Sequence, residues 1–150
     1  MGYDAREFKR GHASVAVGSR AGGYIVEHAA FVDFVLHLGD SELPLAASER
    51  NSLAMLAAVP HAFLDEEAVY GEGWRVVPPV AQSDWPVLET TPRRLREALE
   101  TARTVLWRHA GPVGITAGDL IAVEGEIDAV LVCLQKAEAA GVSVNVTYVA

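Results

Sequence analysis

A glycine-rich segment at residues 18–23 holds the side chains best suited to bind an anion. Ser19 and Arg20 offer a hydroxyl and a guanidinium, and Gly22 and Gly23 complete the segment. The surrounding pattern predicts a strand before it and a helix after it, so its N–H groups could converge on a phosphate-bearing ligand at the helix N-terminus. The segment matches neither the dinucleotide-binding motif nor the P-loop, and a plain turn is the commoner structure for such residues.

A second candidate site joins clustered acids to aromatic side chains. Asp65, Glu66 and Glu67 form a compact acidic run, and Trp74 and Trp85 flank a proline-rich stretch that follows it. A tryptophan in a loop anchors an interface when it is exposed and fills the core when it is buried. Aromatic anchors beside clustered acids suit a basic protein partner, whereas three exposed carboxylates alone are more often a solvated helix start.

The histidines do not form a metal-binding pattern. Asp33 and His37 lie four residues apart on a predicted helix and can touch, but such a pair is more often a surface contact. A metal site needs three or four converging ligands, and no such cluster or nucleophile-elbow motif occurs in the sequence. We therefore expect no metal and no cofactor.

Composition narrows the class of protein. The net charge is −8, and residues 21–89 carry eleven acids against two arginines, which disfavours nucleic acid and favours cationic partners. The apolar fraction is 51% and the mean hydropathy is +0.19, yet no apolar run is long enough for a membrane span. A dense core together with a subunit contact explains this excess, so a homodimer is expected.

A few sequence features indicate the cellular compartment and the type of organism from which the protein comes. Cys133 is the only cysteine, which excludes an intrachain disulfide and fits a reducing cytoplasm. The N-terminal residues lack the apolar core of a signal peptide. Arginine outnumbers lysine and alanine is abundant, which indicates a bacterial protein.

In the first half of the chain, the periodicity predicts elements joined by glycine and proline. A short strand covers residues 13–17, and a helix covers 24–38 and stops at Gly39. A hairpin partner strand at residues 24–26 is the alternative for the start of that helix. A second helix is predicted over residues 48–58, with Ser48 as N-cap and Pro60 as its end.

Residues 74–77 then form a short strand, and residues 78–91 have no periodicity.

The last third of the chain is the clearest. Thr91 and Pro92 begin an amphipathic helix that ends near residues 110–112. Thr116 caps a long helix over residues 117–140, whose middle is apolar on every side and therefore needs cover from other elements or from a second subunit. Gly125 weakens this helix by about 1 kcal/mol, so a strand at residues 119–123 is the alternative.

A strand over residues 142–149 follows the long helix, with one apolar and one polar face.

These elements predict a single α+β domain over residues 1–150. About four helices pack on a small mixed or antiparallel sheet of three or four strands, with the C-terminal helix, glycine and strand in the core and the last strand inside or beside the first. The expected function is that of a small acidic binding protein, such as an inhibitor, an immunity-type protein or another regulatory partner. The alternative is a binder of anionic small molecules, or an enzyme, that uses residues 18–23.

Overall fold

The computed structural model describes residues 14–26, 30–64, 73–77 and 87–149, and they form an α+β fold as the sequence predicts. Five strands make one antiparallel sheet in the order β2-β1-β5-β4-β3. The strands are β1 Ser14–Ser19, β2 Gly22–Val26, β3 Arg75–Val77, β4 Val87–Thr90 and β5 Val144–Val149. The last strand lies directly beside the first, as predicted, and the sheet has one strand more than the expected maximum.

In the described part of the chain, three long helices and one short helix pack against the sheet. They are α1 Ala47–Leu64, α2 Pro92–Arg108, α3 Ala110–Val113 and α4 Ala117–Ala140. α4 packs on β2 and β1, α2 packs on α4, and α1 packs on α2. The core lies between this layer and the inward side chains of the strands, such as Val15, Leu88 and Val144. Among the described residues, no helix is long and apolar enough to cross a membrane.

The ends of α2 and α4 match the predicted caps. Thr91 and Thr116 each accept a hydrogen bond from the backbone N–H three residues on, at Arg94 and Asp119. Gly141 adopts a left-handed conformation, with φ of 69°, and closes α4. The alternative of a strand at residues 119–123 is therefore wrong, because α4 runs through them without interruption.

Two predicted helices differ from the structure. Residues 24–26 belong to β2, in agreement with the hairpin alternative, and further along the predicted helix the structure has a π-helical segment, Phe31–Val35, and a 3-10 turn, Leu38–Asp40. The glycines before residue 24 close a hairpin, so the strand is set by pairing with β1 and not by local propensity.

The second difference is that α1 passes through Pro60 to Leu64 instead of ending there. Proline removes one helical hydrogen bond, and packing of α1 on α2 outweighs that loss.

The middle of α4 is only partly covered by its own chain. Val130 and Leu134 are buried, and Leu131 packs against the core, but Val132 is 50% exposed. The described residues therefore leave one side of this apolar stretch open to a second molecule.

Candidate functional site

A cleft with a volume of about 520 Å³ lies beside the π-helical segment. We call it the acidic cleft. It is lined by Asp33, Phe34, His37, Leu38, Ser41, Glu42, Leu43, Pro44, Pro112 and Val113. The π-helical segment and 3-10 turn form one wall, the connection to α1 forms the second, and α3 closes the third.

The π-helical segment sets which side chains enter the cleft. Its wider turn is closed by the Leu36 N–H, which donates to the Phe31 carbonyl oxygen at 3.3 Å. Phe31 and Val35 point into the core while Asp33 is exposed, so the turn fixes one acid at the rim. Widened helical turns of this type are frequent at functional sites.

The wall formed by residues 39–43 is held by one arginine of α1. The Arg50 guanidinium donates to the carbonyl oxygens of Gly39, Ser41 and Leu43 at 3.2, 2.7 and 2.6 Å. Its planar set of donors suits three acceptors on one curved stretch of backbone. The Ser41 hydroxyl donates to the Leu38 carbonyl oxygen at 2.6 Å and tightens the same turn. A short connection without regular structure is thereby made into a defined wall.

The acidic cleft combines an apolar floor with a negative rim. Leu38 is buried and Phe34, Leu43 and Val113 are half-buried, whereas Asp33 and Glu42 are exposed. The Arg50 guanidinium does not line the cleft, because its N–H groups donate to carbonyl oxygens of the wall. This arrangement favours a ligand that has an apolar part and a cationic group.

Glu49, at the start of α1, forms an ion pair within the protein and does not line the acidic cleft. Glu49 accepts two hydrogen bonds from Arg108 at 2.8 Å each, which joins α1 to α2. The Arg108 guanidinium, with help from the Ala46 N–H, holds the pKa of the Glu49 carboxyl below its ordinary value. Its charge is therefore matched within the protein and adds little to the rim of the acidic cleft.

The side chains of the acidic cleft are not joined as a catalytic relay. Asp33, His37 and Ser41 line the same space, but the Ser41 proton is directed to a backbone carbonyl. No hydrogen bond connects these three side chains among the described residues, whereas a nucleophile and its base need such a bond. The described residues of the acidic cleft therefore include no hydrogen-bonded pair of nucleophile and base.

The predicted strand–loop–helix geometry of residues 18–23 is wrong. Arg20 and Ala21 form a two-residue turn between β1 and β2. The Ser19 hydroxyl accepts from the Ala21 N–H at 3.0 Å, and Gly22 has a φ of 142° that other residues rarely adopt. The glycines therefore serve a hairpin, and no helix N-terminus is present to attract an anion.

The same turn nevertheless borders a polar cleft of about 310 Å³. This hairpin cleft is lined by Ser19, Arg20, Glu89, Val142, Ser143 and Asn145. Glu89 is paired with Arg75, which offsets its charge. Two of the four predicted residues, Ser19 and Arg20, thus share a cleft with Glu89 of β4, Asn145 of β5 and Ser143, which precedes β5, whereas Gly22 and Gly23 do not line it.

Trp74 is part of the packed structure. Its indole N–H donates to the Met55 carbonyl oxygen at 2.8 Å, and its ring packs against the core. This position favours a role as a half-buried plug at the edge of α1. Asp65, Glu66, Glu67 and Trp85 lie outside the described residues, so their part in an interface stays a prediction.

The sequence pointed to only part of the acidic cleft. The four-residue spacing of Asp33 and His37 was visible, but it indicated a surface contact. Glu42, Leu43 and Val113 come from segments without periodicity, and the position of Glu42 and Leu43 depends on the hydrogen bonds of Arg50 to the wall. The sequence does not predict this contact, because Arg50 and Gly39 are eleven residues apart and belong to no recognisable motif.

No protein-family model, no curated protein and no solved structure matches the chain.

Proposed function

We propose that this protein is a small acidic binding protein that recognises a cationic and apolar segment of a partner protein, as an inhibitor or regulatory partner does. The acidic cleft supports this proposal, because Asp33 and Glu42 stand above an apolar floor of a size that suits one or two side chains. The net charge of −8 adds long-range attraction for a basic partner. A lysine or arginine could place its methylene groups on the floor and its charge at the rim.

Two short peptides of opposite charge test the proposal. We expect acetyl-Leu-Lys-Leu-Arg-amide to shift backbone NMR signals around Asp33, His37 and Leu43, and to bind more weakly at high salt. Acetyl-Leu-Glu-Leu-Gln-amide should leave those signals unchanged. Combining Asp33→Asn with Glu42→Gln should weaken binding of the basic peptide about 10-fold, since two charge contacts are lost.

Glu97→Gln is the matched control, because Glu97 is an exposed acid on α2 that pairs with Arg93 and lies outside the acidic cleft. It removes one charge and should leave binding of the basic peptide nearly unchanged. Equal binding of both peptides, or equal weakening in all variants, would contradict recognition at the acidic cleft.

The hairpin cleft supports a second candidate function, the binding of an anionic or phosphate-bearing small molecule. Arg20 supplies the charge, and Ser19, Ser143 and Asn145 supply hydrogen-bond groups around one space. Binding of an anion by these side chains does not require a helix N-terminus.

Arg20→Ala tests this second candidate. We expect inorganic phosphate to raise the melting temperature of the wild-type protein, and the substitution to weaken phosphate binding about 10-fold by removing its cation. Arg108→Ala removes a cation that contacts Glu49 and should preserve phosphate binding. The candidate fails if phosphate stabilises neither protein, or both equally.

A further inference from the structure

One flank of α4 carries a regular set of small and charged residues. Successive residues of this set are four and three positions apart in turn, a spacing that is typical of the stripe through which one helix packs against another. We call them the α4 flank: Ala122, Glu126, Ala129, Cys133, Lys136 and Ala140. The first four are half-buried and the last two are exposed.

The α4 flank points away from the rest of the helical layer. α2 contacts the other side of α4, where Trp107 donates to Glu124 at 3.0 Å and Arg103 pairs with Asp128 at 2.6 Å. At about 100° per residue, the flank is centred nearly opposite to these contacts. It therefore lies at the end of the helical layer, above the edge of the sheet that β2 forms.

The order of residues in the α4 flank is self-complementary when the helix is reversed. Reversal about position 131 places small residues on small ones and the acid on the base: Ala122 on Ala140, Glu126 on Lys136, and Ala129 on Cys133. Two copies in antiparallel contact would thus form two Glu126–Lys136 ion pairs. Within one helix these residues are about 15 Å apart and cannot pair.

Both charges of that pair lack a counterpart in the described part of the chain. One carboxylate oxygen of Glu126 is enclosed and has no hydrogen-bond partner. The ion pairs of the described residues do not include Lys136, which is exposed. Because that oxygen is covered by its own chain, Lys136 of the partner subunit would pair with the other carboxylate oxygen and supply the missing counter-charge.

The edge of the sheet beneath the α4 flank is also suited to self-association. β2 is the terminal strand among the described residues, and it contains neither a charge nor a proline. Ser19 and Gly22 form the hydrogen-bonded pair that closes the hairpin. Since hydrogen-bonded and non-hydrogen-bonded pairs alternate along β1 and β2, the N–H and C=O groups of Gly23 and Ile25 point away from β1, toward the open edge of the sheet. Ile25 is 47% exposed, and such an unprotected edge favours pairing with another strand.

A single two-fold axis is compatible with contacts through both the β2 edge and the α4 flank. A two-fold axis perpendicular to the sheet makes the two β2 strands antiparallel at about 4.8 Å. Since α4 packs over β2 and β1, the same axis brings the two α4 helices antiparallel at about 10 Å, the ordinary distance for packed helices. We infer that this chain forms a two-fold homodimer through its β2 edges and α4 flanks. These two surfaces share no residue with the acidic cleft or the hairpin cleft.

Charge reversal tests the inferred pairing. By light scattering after size exclusion, the wild-type protein should have twice its chain mass of 16.0 kDa. Lys136→Glu should weaken the dimer about 10-fold or more, because both ion pairs become repulsive. Combining Glu126→Lys with Lys136→Glu should restore the wild-type affinity, which a residue important only for folding of the monomer would not do. A monomeric wild type, or a dimer that neither reversal affects, would overturn the inference.

A covalent cross-link gives a second test. Ala129→Cys places a new thiol opposite Cys133 of the partner subunit, so mild oxidation should yield a disulfide-linked dimer. The native and new thiols of one helix are four residues apart, with Cβ atoms about 6 Å from each other, too far for a disulfide within the chain. Ala139→Cys, on the exposed face of α4, is the control and should remain largely uncross-linked. Equal cross-linking of both variants would overturn the inferred surface.

Discussion

Gly39→Ala should destabilise the protein by about 2 kcal/mol, although it adds only one methyl group. A Cβ atom at this position would lie 2.8 Å from the Leu53 carbonyl oxygen and 3.1 Å from the Ala57 Cβ. These atoms belong to the body of α1, so they cannot move aside as a flexible side chain would. The 3-10 turn must therefore separate from α1, which also displaces one wall of the acidic cleft.

Urea unfolding measures the loss of stability at Gly39, and NMR signals of residues 38–43 report the displacement. Gly118→Ala is the matched control, because a Cβ there meets nothing within 4 Å. It should be neutral or stabilising by up to about 1 kcal/mol. If Gly39→Ala is as stable as the wild type, the close contact between the 3-10 turn and α1 is not part of the folded protein.

Arg50→Met should destabilise the protein by about 2–3 kcal/mol, the second large effect that we expect. The change keeps most of the side chain's volume but leaves three half-buried carbonyl oxygens, at Gly39, Ser41 and Leu43, without their donor. Arg50→Lys should recover only part of this loss, because a single ammonium cannot reach all three acceptors with the geometry of a guanidinium.

Hydrogen exchange separates the role of Arg50 from general surface electrostatics. The amides of Ser41 and Leu45, which donate to the carbonyl oxygens of Leu38 and Leu43, should exchange faster in both Arg50 variants, while those of α4 should change only through the lower global stability. Arg93→Met removes an exposed cation with a single ion pair and should alter stability by no more than about 0.5 kcal/mol. Full stability of Arg50→Lys would show that charge alone holds the wall.

Local signals predicted the C-terminal elements well. Thr91 followed by Pro92, Thr116 and Gly141 act through neighbouring backbone groups, so α2 begins, and α4 begins and ends, at the predicted residues, whereas α2 ends at Arg108, slightly before the predicted residues 110–112. The polar and apolar alternation around Val144 and Val146 likewise predicted a strand with one buried face. These features need no distant contact to be recognised.

The missed elements depend on partners far away in the chain. β4 is only four residues long, and its pairing with β5 and β3 stabilises it in a segment that has no periodicity of its own. β2 has helical spacing in its sequence, yet the hairpin with β1 decides its structure. The acidic cleft also depends on contacts between distant residues, because Arg50 of α1 holds the wall of residues 39–43 and no sequence motif predicts that contact.

The central position of β5 constrains the order of assembly during synthesis. β5 separates β1 from β4, so the hairpin of β1 and β2 and the pair of β3 and β4 have no direct contact within the sheet until β5 joins them. Every other strand leaves the ribosome before β5 does. Nascent chains that stop short of residue 144 would therefore expose two open strand edges, and these are natural targets for chaperones.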